Sequence, residues 1–150
     1  MRYGVLAVGK LQDQALRKAA EAYVTRAQRW CKLTTEEVKA SGSGTDAVTE
    51  EGRRLAGRLD GRVVVLDERG ERLTTRDMAR TMEAWELGGI SKVTFVIGGA
   101  DGVADDVKDA AFTSWRLSDF TLPHELARVV LLEQIYRVES LRAGHPYHRD

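Results

Sequence analysis

Residues 120–142 constrain the fold more than any other part of the chain, because they read as a short loop followed by one long helix. Pro123 has no backbone N–H to lose and a φ that suits a first helical turn, so it marks the start of the helix. Apolar residues recur on two sides of it: Leu126, Val129 and Val130, and then Ala127, Leu131, Ile135 and Val138. Such a helix is buried on several faces, and we expect the chain to pack around it.

Three polar residues suggest that this helix also contributes to a functional site. Arg128 and Glu133 fall within the apolar pattern, where charged side chains require partners. His124 lies in the first turn, near the positive end of the helix dipole. The segment is therefore a candidate site as well as a core element.

Strand and helix patterns alternate along the 150 residues. Compact β-branched runs predict buried strands at 62–66 and 92–97, with further strands at 3–8 and 33–38. Helical spacing predicts helices at 11–30, from Asp46 to about residue 59, from Thr74 to Gly88, and around Val107. Short connections between alternating elements predict an α/β fold with a mainly parallel sheet. This length and a hydrophobic content of 43% suit one domain, residues 1–150.

Ligands of parallel sheets gather at the carboxyl ends of the strands. Three loops fall there by sequence order: the one after Leu66, the one after Ile97, and residues 117–123. The second reads Gly98-Gly99-Ala100-Asp101-Gly102, and its glycines admit a close ligand or a positive φ. It lacks the spacing of a dinucleotide fold or a P-loop, so a tight structural turn is an equal alternative.

Composition excludes several kinds of site. The single cysteine, Cys31, rules out an internal disulfide and a cysteine-based zinc site. We expect no metal site from the histidines, because Pro146 disrupts helical spacing between His145 and His148 and no acidic or thiol pattern accompanies them. The amino end is too interrupted for a signal peptide and the apolar runs are strand-sized, so we expect a cytosolic protein without a membrane segment.

The charge pattern gives no direct support for a nucleic-acid partner, because 23 basic and 23 acidic residues leave a net charge of zero. Basic residues nevertheless surround the helix predicted at 11–30: Lys10, Arg17, Lys18, Arg26 and Arg29. A solvated face explains them, and an RNA-facing patch is the alternative. The tail offers the ring of Tyr147, the titratable His148 and the phosphate-binding fork of Arg149, or it is simply a frayed terminus.

Taken together, these motifs resemble the bacterial methyltransferases that modify N3 of a pseudouridine in 23S ribosomal RNA, a family of the SPOUT superfamily. The residues that carry the resemblance are residues 96–102, Thr121-Leu122-Pro123-His124, Leu126, Arg128, residues 133–137 and His145-Pro146-Tyr147-His148-Arg149. The resemblance runs the whole length of the chain. It implies a trefoil knot and a homodimer with the knot helices at its interface, whereas periodicity alone indicates an unknotted Rossmann-like sheet.

The resemblance also implies that S-adenosylmethionine binds in the knot. It assigns to the cofactor Leu66, Asp67, Gly98, Gly99, Gly102, Ser118, Asp119, Phe120, Thr121, Leu122 and Pro123. Glycines admit the cofactor, and a loop before a proline-started helix holds its backbone groups fixed. No metal is required.

The implied reaction is methyl transfer to a pseudouridine of the assembled ribosome. His124 is the first candidate to contact the base, because it follows the cofactor loop and titrates near neutral pH, and a capping or packing histidine is the alternative. We expect Arg128 and Arg149 to hold phosphate or polarise the carbonyls, and Tyr147 and His148 to help build the pocket. Two other interpretations stay open: a methyltransferase of the same fold acting on another RNA such as transfer RNA, and a ribosome-binding module without catalysis.

Overall fold

A computed structural model describes residues 1–149, in which five strands alternate with five helices. In chain order the elements are β1 (Arg2–Val8), α1 (Gln14–Ala27), β2 (Lys32–Val38), α2 (Thr45–Ala56), β3 (Arg62–Arg72), α3 (Thr75–Leu87), β4 (Lys92–Ile97), α4 (Asp105–Ala110), β5 (Thr113–Arg116) and α5 (His124–Arg142). Within the described residues, no helix combines the length and the apolar character needed to cross a membrane.

The strands form a single sheet in the order β2-β1-β4-β3-β5, and every neighbouring pair is parallel. The predicted α/β fold with a mainly parallel sheet is therefore confirmed. Side chains of a strand point alternately to opposite faces. Val64 and Phe95 pack in the core beneath α1, α3 and α5, whereas Val65 and Val96 pack with Leu55 of α2 on the other face. Burial on both faces explains why these strands are almost continuously apolar.

Helix α5 packs against α1 and α3, at the centre of the larger core. Its buried residues are Arg128, Val129, Leu131, Leu132, Ile135, Tyr136, Val138, Glu139 and Ser140. They cover more than one side of the helix, as the sequence predicted. The helix begins at His124, and Pro123 is its N-cap with φ −57°, one residue earlier than a first helical position.

Local capping fixes where several helices begin. The carboxylate of Asp13 accepts a backbone N–H of the first turn of α1, and Thr74 forms a capping box with Asp77 at α3. The predicted cap of α2 is wrong: Asp46 lies in the first turn, and Gly44 occupies the cap position with φ 90°. That positive φ is one that glycine adopts without steric cost.

The largest departure from the sequence-based prediction lies where β3 meets β5. Strand β3 continues beyond Leu66, and both Leu66 and Glu71 pair with Trp115. Residues 67–70 are therefore a bulge rather than the end of the strand. Strand β5 is short, and residues 117–123 form an irregular loop before α5 instead of the extended segment predicted at 115–122. The trefoil knot stays a prediction.

Candidate active site

A cavity of about 770 Å³ opens at the carboxyl edge of the sheet, next to the amino end of α5. Its walls are three segments: residues 66–69 of β3, residues 97–103 after β4, and the loop between β5 and α5. These are the three candidate ligand loops that the sequence placed at this edge. The volume lies in the range typical of small-molecule sites.

The glycine loop after β4 folds back tightly on itself. The N–H of Gly102 donates to the carbonyl of Gly99 at 3.1 Å, and Gly102 has φ 88°, which favours glycine. Gly98 lies against this turn, because a Cβ added there would stand 2.4 Å from the carbonyl oxygen of Gly102. The sequence left a ligand loop and a tight turn as alternatives, and the structure shows a tight turn that also lines the cavity.

The wall contributed by β3 is charged. The carboxylate of Asp67 forms an ion pair with Lys108 of α4 at 2.9 Å and accepts the backbone N–H of Arg69 at 3.1 Å. Burial acts to raise the pKa of Asp67, but these hydrogen bonds outweigh it and hold that pKa below its ordinary value. Asp67 is therefore anionic at neutral pH, in partnership with Lys108.

Side-chain hydrogen bonds hold the third wall, the loop between β5 and α5. The hydroxyl of Ser118 accepts the backbone N–H of Phe120 at 2.9 Å. The hydroxyl of Thr121 donates to Glu68 at 3.4 Å, which joins this wall to the β3 segment. The ring of Phe120 is 85% exposed, so the cavity carries a large apolar side chain at its rim.

Most of the residues predicted to bind the cofactor come together in this cavity. Those that line it are Leu66, Asp67, Gly98, Gly99, Gly102, Ser118, Phe120, Thr121, Leu122 and Pro123. Asp119 does not line it, because its carboxylate pairs instead with Arg72 and Arg116. Its place in the sequence, between two lining residues, gave no sign of this outward pairing.

Arg116 is a cavity residue that the sequence did not single out. One of its terminal nitrogens lies 3.5 Å from the carboxylate of Asp119, while its Nε is buried without a hydrogen-bond partner. A buried N–H requires an acceptor, so this nitrogen is an unsatisfied donor beneath the surface of the cavity wall. The indication in the sequence was the position of Arg116, at the end of the strand that leads into the predicted cofactor loop.

The two predicted catalytic residues at the start of α5 have different surroundings. His124 opens the helix and lines the cavity. Arg128 does not line it: the side chain is buried, donates to the carbonyl of Gly9 at 2.8 Å, and pairs with Glu37. Gly9 follows β1 and Glu37 lies near the end of β2. Arg128 therefore fastens the start of α5 to the sheet.

Glu125 adds a second attachment at the same place. Its carboxylate accepts the backbone N–H of Gln12 at 2.7 Å and of Asp13 at 3.1 Å. Because Asp13 caps α1, this contact joins the beginnings of α1 and α5. The sequence gave no sign of this role, since the partners of Glu125 are more than a hundred residues away along the chain.

The predicted tail residues pack on the middle of α5. The ring of Tyr147 lies 4.5 Å from that of Tyr136 and beneath the guanidinium of Arg137 at 4.6 Å, and its hydroxyl donates to Glu133 at 3.3 Å. Nδ1 of His148 lies 3.2 Å from a nitrogen of Arg137. Burial, and then the charge of Glu133, raises the pKa of Tyr147 to about 12.

The tail is consequently separated from the cavity of its own chain. His124 and Glu133 are nine positions apart on α5, which is about 14 Å at 1.5 Å per residue. Arg149 is exposed beyond the docked tail. The structure therefore brings His124 to the cavity, and leaves Tyr147, His148 and Arg149 elsewhere on the protomer.

The described residues hold no group of three histidine, cysteine, aspartate or glutamate side chains placed to bind a metal ion. The candidate site is instead built from backbone, glycines, one ion pair, one unpaired guanidinium nitrogen and a histidine. Such a set suits an organic ligand with polar and charged ends.

The fold and the cavity define a class of protein: a parallel α/β domain with a cavity of small-molecule size at the carboxyl edge of its sheet. Residues 1–148 match the family described as "Predicted SPOUT methyltransferase". The chain belongs to this family of SPOUT methyltransferases, which confirms the resemblance seen in the sequence.

Several curated relatives with the name ribosomal RNA large subunit methyltransferase H are similar over their whole length. The protein of Methylibium petroleiphilum is 43% identical, with 100% of both chains covered. That of Variovorax paradoxus is 42% identical, again with 100% of both covered. That of Acetivibrio thermocellus is 37% identical and covers 99% of this chain and 100% of its own.

Two solved structures share the fold at low sequence identity. A probable methylase family protein from Haemophilus influenzae superimposes with a TM-score of 0.59 at 12% identity, covering 99% of this chain and 70% of its own. The tRNA (m1G37) methyltransferase from Aquifex aeolicus gives a TM-score of 0.57 at 16% identity, covering 100% of this chain and 76% of its own. At these identities the likeness concerns the fold alone.

Proposed function

We propose that the protein uses S-adenosylmethionine to methylate N3 of a pseudouridine in the 23S ribosomal RNA of the assembled ribosome. The observation that carries the proposal is the glycine-lined cavity, in a chain whose full-length relatives are named for methylation of large-subunit ribosomal RNA. The proposed location is the bacterial cytoplasm, where ribosomes are assembled.

The residues of the cavity fit S-adenosylmethionine. This molecule combines a flat adenosine with a methionine end that carries a carboxylate and an ammonium group. The tight turn at Gly98 and Gly102 leaves backbone accessible at the wall, which suits a flat ring. The guanidinium of Arg116, which lines the cavity, is proposed to bind the carboxylate, and the anionic Asp67 favours a cationic group.

The proposed chemistry asks little of the side chains beyond placement. When bound, S-adenosylmethionine supplies the methyl group, which leaves sulfur as the N3 lone pair attacks. His124, at the cavity and at the start of α5, is proposed to orient the base and to accept the N3 proton, directly or through water. Such a base contributes a factor of roughly 10² to 10⁴, and alignment of the reactants supplies much of the rest.

Arg128 is proposed to act by positioning. Direct contact with phosphate requires a guanidinium freed from Glu37 and Gly9, both of which it holds in a buried setting. With these partners kept, Arg128 fixes the first turns of α5 and therefore the orientation of His124. Its part in the reaction is then indirect, where the sequence suggested a direct one.

The protein is further proposed to act as a homodimer in which the tail of one protomer completes the cavity of the other. Two features support it: the tail lies about 14 Å along α5 from His124 in its own chain, and Phe120 exposes its ring at the rim. A second copy that packs against α5 brings Tyr147, His148 and Arg149 to the RNA side of the site.

Complementation between two variants tests the dimer. His124→Ala and Arg149→Ala are each expected to lose methyl transfer, and equilibrated mixtures are expected to regain about a quarter of wild-type activity, since half the dimers are mixed and each has one intact site. If each tail serves its own chain, the mixture regains nothing. Arg53→Ala is the matched control, because this exposed arginine of α2 lies outside the cavity and the tail.

Cofactor binding and methyl transfer to ribosomes together test the proposed function. Calorimetry is expected to detect S-adenosylmethionine binding, and this binding is expected to weaken in the cavity-wall variant Gly98→Ala. Single-turnover methyl transfer is expected to label ribosomes. Full single-turnover methylation by His124→Ala and Arg149→Ala would remove their proposed roles. If the protein binds S-adenosylmethionine and labels transfer RNA but not ribosomes, its substrate is another RNA. If it does not bind S-adenosylmethionine, a ribosome-binding module without catalysis is favoured.

A further inference from the structure

Four neighbouring strands of the sheet begin with a cation. These residues are Lys32 of β2, Arg2 of β1, Lys92 of β4 and Arg62 of β3. Arg2 is directly in register with both Lys32 and Lys92, and Arg62 is offset by one position. With strands about 4.8 Å apart, Lys32, Arg2 and Lys92 form a row about 10 Å long at the amino edge of the sheet, opposite the cavity. Arg62 leaves the other face of the sheet and extends this row through the groove that it shares with Lys92.

The charges in this row are largely uncompensated. Among the described residues only Lys92 has an ion-pair partner, the exposed Asp60 at 2.9 Å. Arg2 reaches the hydroxyl of Ser91 at 3.5 Å. The guanidinium of Arg62 lies over an aromatic ring rather than a carboxylate, 3.8 Å from the centroid of Phe112. The row therefore presents a net positive charge to solvent, even though the whole chain is neutral.

The fold explains how such a row is tolerated. Helices α1, α2 and α3 end a few residues before β2, β3 and β4 begin, so their carboxyl ends lie at this edge. The partial negative charge of helix carboxyl ends stabilises nearby cations. The repulsion between neighbouring basic side chains is thereby partly offset by the helix ends, with Asp60 as the ion-pair partner of Lys92.

Aromatic side chains stand at both ends of the row. Phe112 is 59% exposed and Trp30 is 38% exposed. Two grooves connect them to the cations: one of about 530 Å³ is lined by Arg62, Lys92 and Phe112, and one of about 650 Å³ by Lys32 and Trp30. Both grooves include Arg2. Phosphate-binding cations beside exposed ring faces are what proteins use to hold unpaired RNA.

We propose that this amino-edge surface, formed by Arg2, Trp30, Lys32, Arg62, Lys92 and Phe112, binds a second, unpaired segment of the substrate RNA through its phosphates and a stacked base. The strands of six or seven residues separate this surface from the cavity by about 20 Å. It therefore holds RNA other than the target nucleotide. The proposal rests on the proposed function for the identity of the RNA, but its test measures RNA binding without methyl transfer.

The test compares two double variants that remove equal charge. Lys32→Gln/Lys92→Gln removes two of the four charges of the row, and the control Arg53→Gln/Arg80→Gln removes two exposed charges on α2 and α3. Equilibrium binding to protein-free 23S RNA and to ribosomes is measured from low to physiological salt. For the row variant, affinity is expected to fall at least tenfold at low salt, and the slope of log affinity against log salt to decrease by about 1.4, at about 0.7 per phosphate contact.

Three further readouts separate the possible outcomes. Calorimetry of S-adenosylmethionine binding is expected to be unchanged in the row variant, and Phe112→Leu is expected to weaken RNA binding without altering the salt slope. RNA affinity and slope equal to those of the control variant, with or without a lower Tm, would show that the cations only balance helix ends. Loss of ribosome affinity with unchanged affinity for protein-free RNA would assign the surface to a ribosomal protein and overturn the proposal. If the wild-type protein does not bind S-adenosylmethionine, the proposed function is refuted, but the RNA-binding comparison still tests the amino-edge surface.

Discussion

Replacing Gly98 by alanine isolates the packing of the glycine loop at the cavity wall. The added Cβ would stand 2.4 Å from the carbonyl oxygen of Gly102, 2.5 Å from its carbonyl carbon and 2.8 Å from Cγ2 of Val103. The first two are backbone atoms of a turn that the hydrogen bond between Gly102 and Gly99 holds closed. They cannot swing aside as a side chain does, so the whole loop must shift.

The expected cost follows from this geometry. Overpacking a well-filled site costs about 1–3 kcal/mol, and a clash with backbone belongs at the upper end. For a domain of this size, about 3 kcal/mol lowers Tm by about 6–12 °C. Because residues 97–103 form a wall of the cavity, we expect S-adenosylmethionine affinity to fall at least tenfold as well.

Two further glycine variants add a smaller clash and no clash for comparison. Gly99→Ala places its Cβ 3.3 Å from Cγ1 of Val8 and 3.4 Å from Oε1 of Glu51, side-chain atoms that can yield, so its effects are expected to be smaller. Gly57→Ala is the control: φ is −71° and the nearest atom is 3.8 Å away, so Tm is expected to hold or rise slightly. Calorimetry measures both quantities. A Gly98→Ala protein with a Tm within about 2 °C of wild type and unchanged cofactor affinity would refute this account of the loop.

Three other predictions concern buried or paired side chains. Arg128→Met leaves Glu37 without its partner, and because Glu37 is partly exposed we expect a loss of about 2 kcal/mol rather than the 3–5 kcal/mol of a fully buried pair, read by thermal unfolding. Burial, and then the charge of Glu139, raises the pKa of the Cys31 thiol to about 12. At pH 8 the alkylation of Cys31 is therefore expected to be roughly 10³-fold slower than that of a free cysteine. Mass spectrometry is expected to show faster alkylation as the pH approaches 12 and fast alkylation once the protein is unfolded. The lowered pKa of Asp67 means that its contribution to folding stability is complete above the ordinary aspartate value of about 4 and is lost as the pH falls through the lower folded value. Asp67→Asn is therefore expected to remove this contribution to the acid dependence of the free energy of unfolding, measured by denaturant unfolding at decreasing pH.

The fold class was predictable because the central strands are buried on both faces. Val63 to Val65 and residues 93–97 are almost continuously apolar, as short strands of a parallel sheet require. The edge strand β2 gave a weaker signal, since Glu36 and Glu37 are exposed. The continuation of β3 was not predictable, because Asp67 to Gly70 has turn composition and its pairing with β5 depends on residues far along the chain.

The site was predictable in position and less so in detail. Parallel strands bring their carboxyl ends to one edge, and most of the residues predicted to bind the cofactor do line one cavity there. Their binding role stays a prediction. The contacts of individual side chains could not be predicted from the sequence. Arg128 contacts Gly9 and Glu37, and Tyr147 packs on α5. No local sequence pattern predicts these contacts. Asp119 and Arg116 pair with each other, which only the folded loop determines.

In the proposed reaction, this cavity directs a methyl group to N3 of a ribosomal pseudouridine. The most direct measurement supplies labelled S-adenosylmethionine and the purified protein to ribosomes from cells that lack the modification, and identifies the labelled nucleoside of the large-subunit RNA by mass spectrometry. We predict N3-methylpseudouridine as the labelled product, with Gly98→Ala producing little or none. Label on a different nucleoside, or none from a folded protein that binds the cofactor, would contradict the claim.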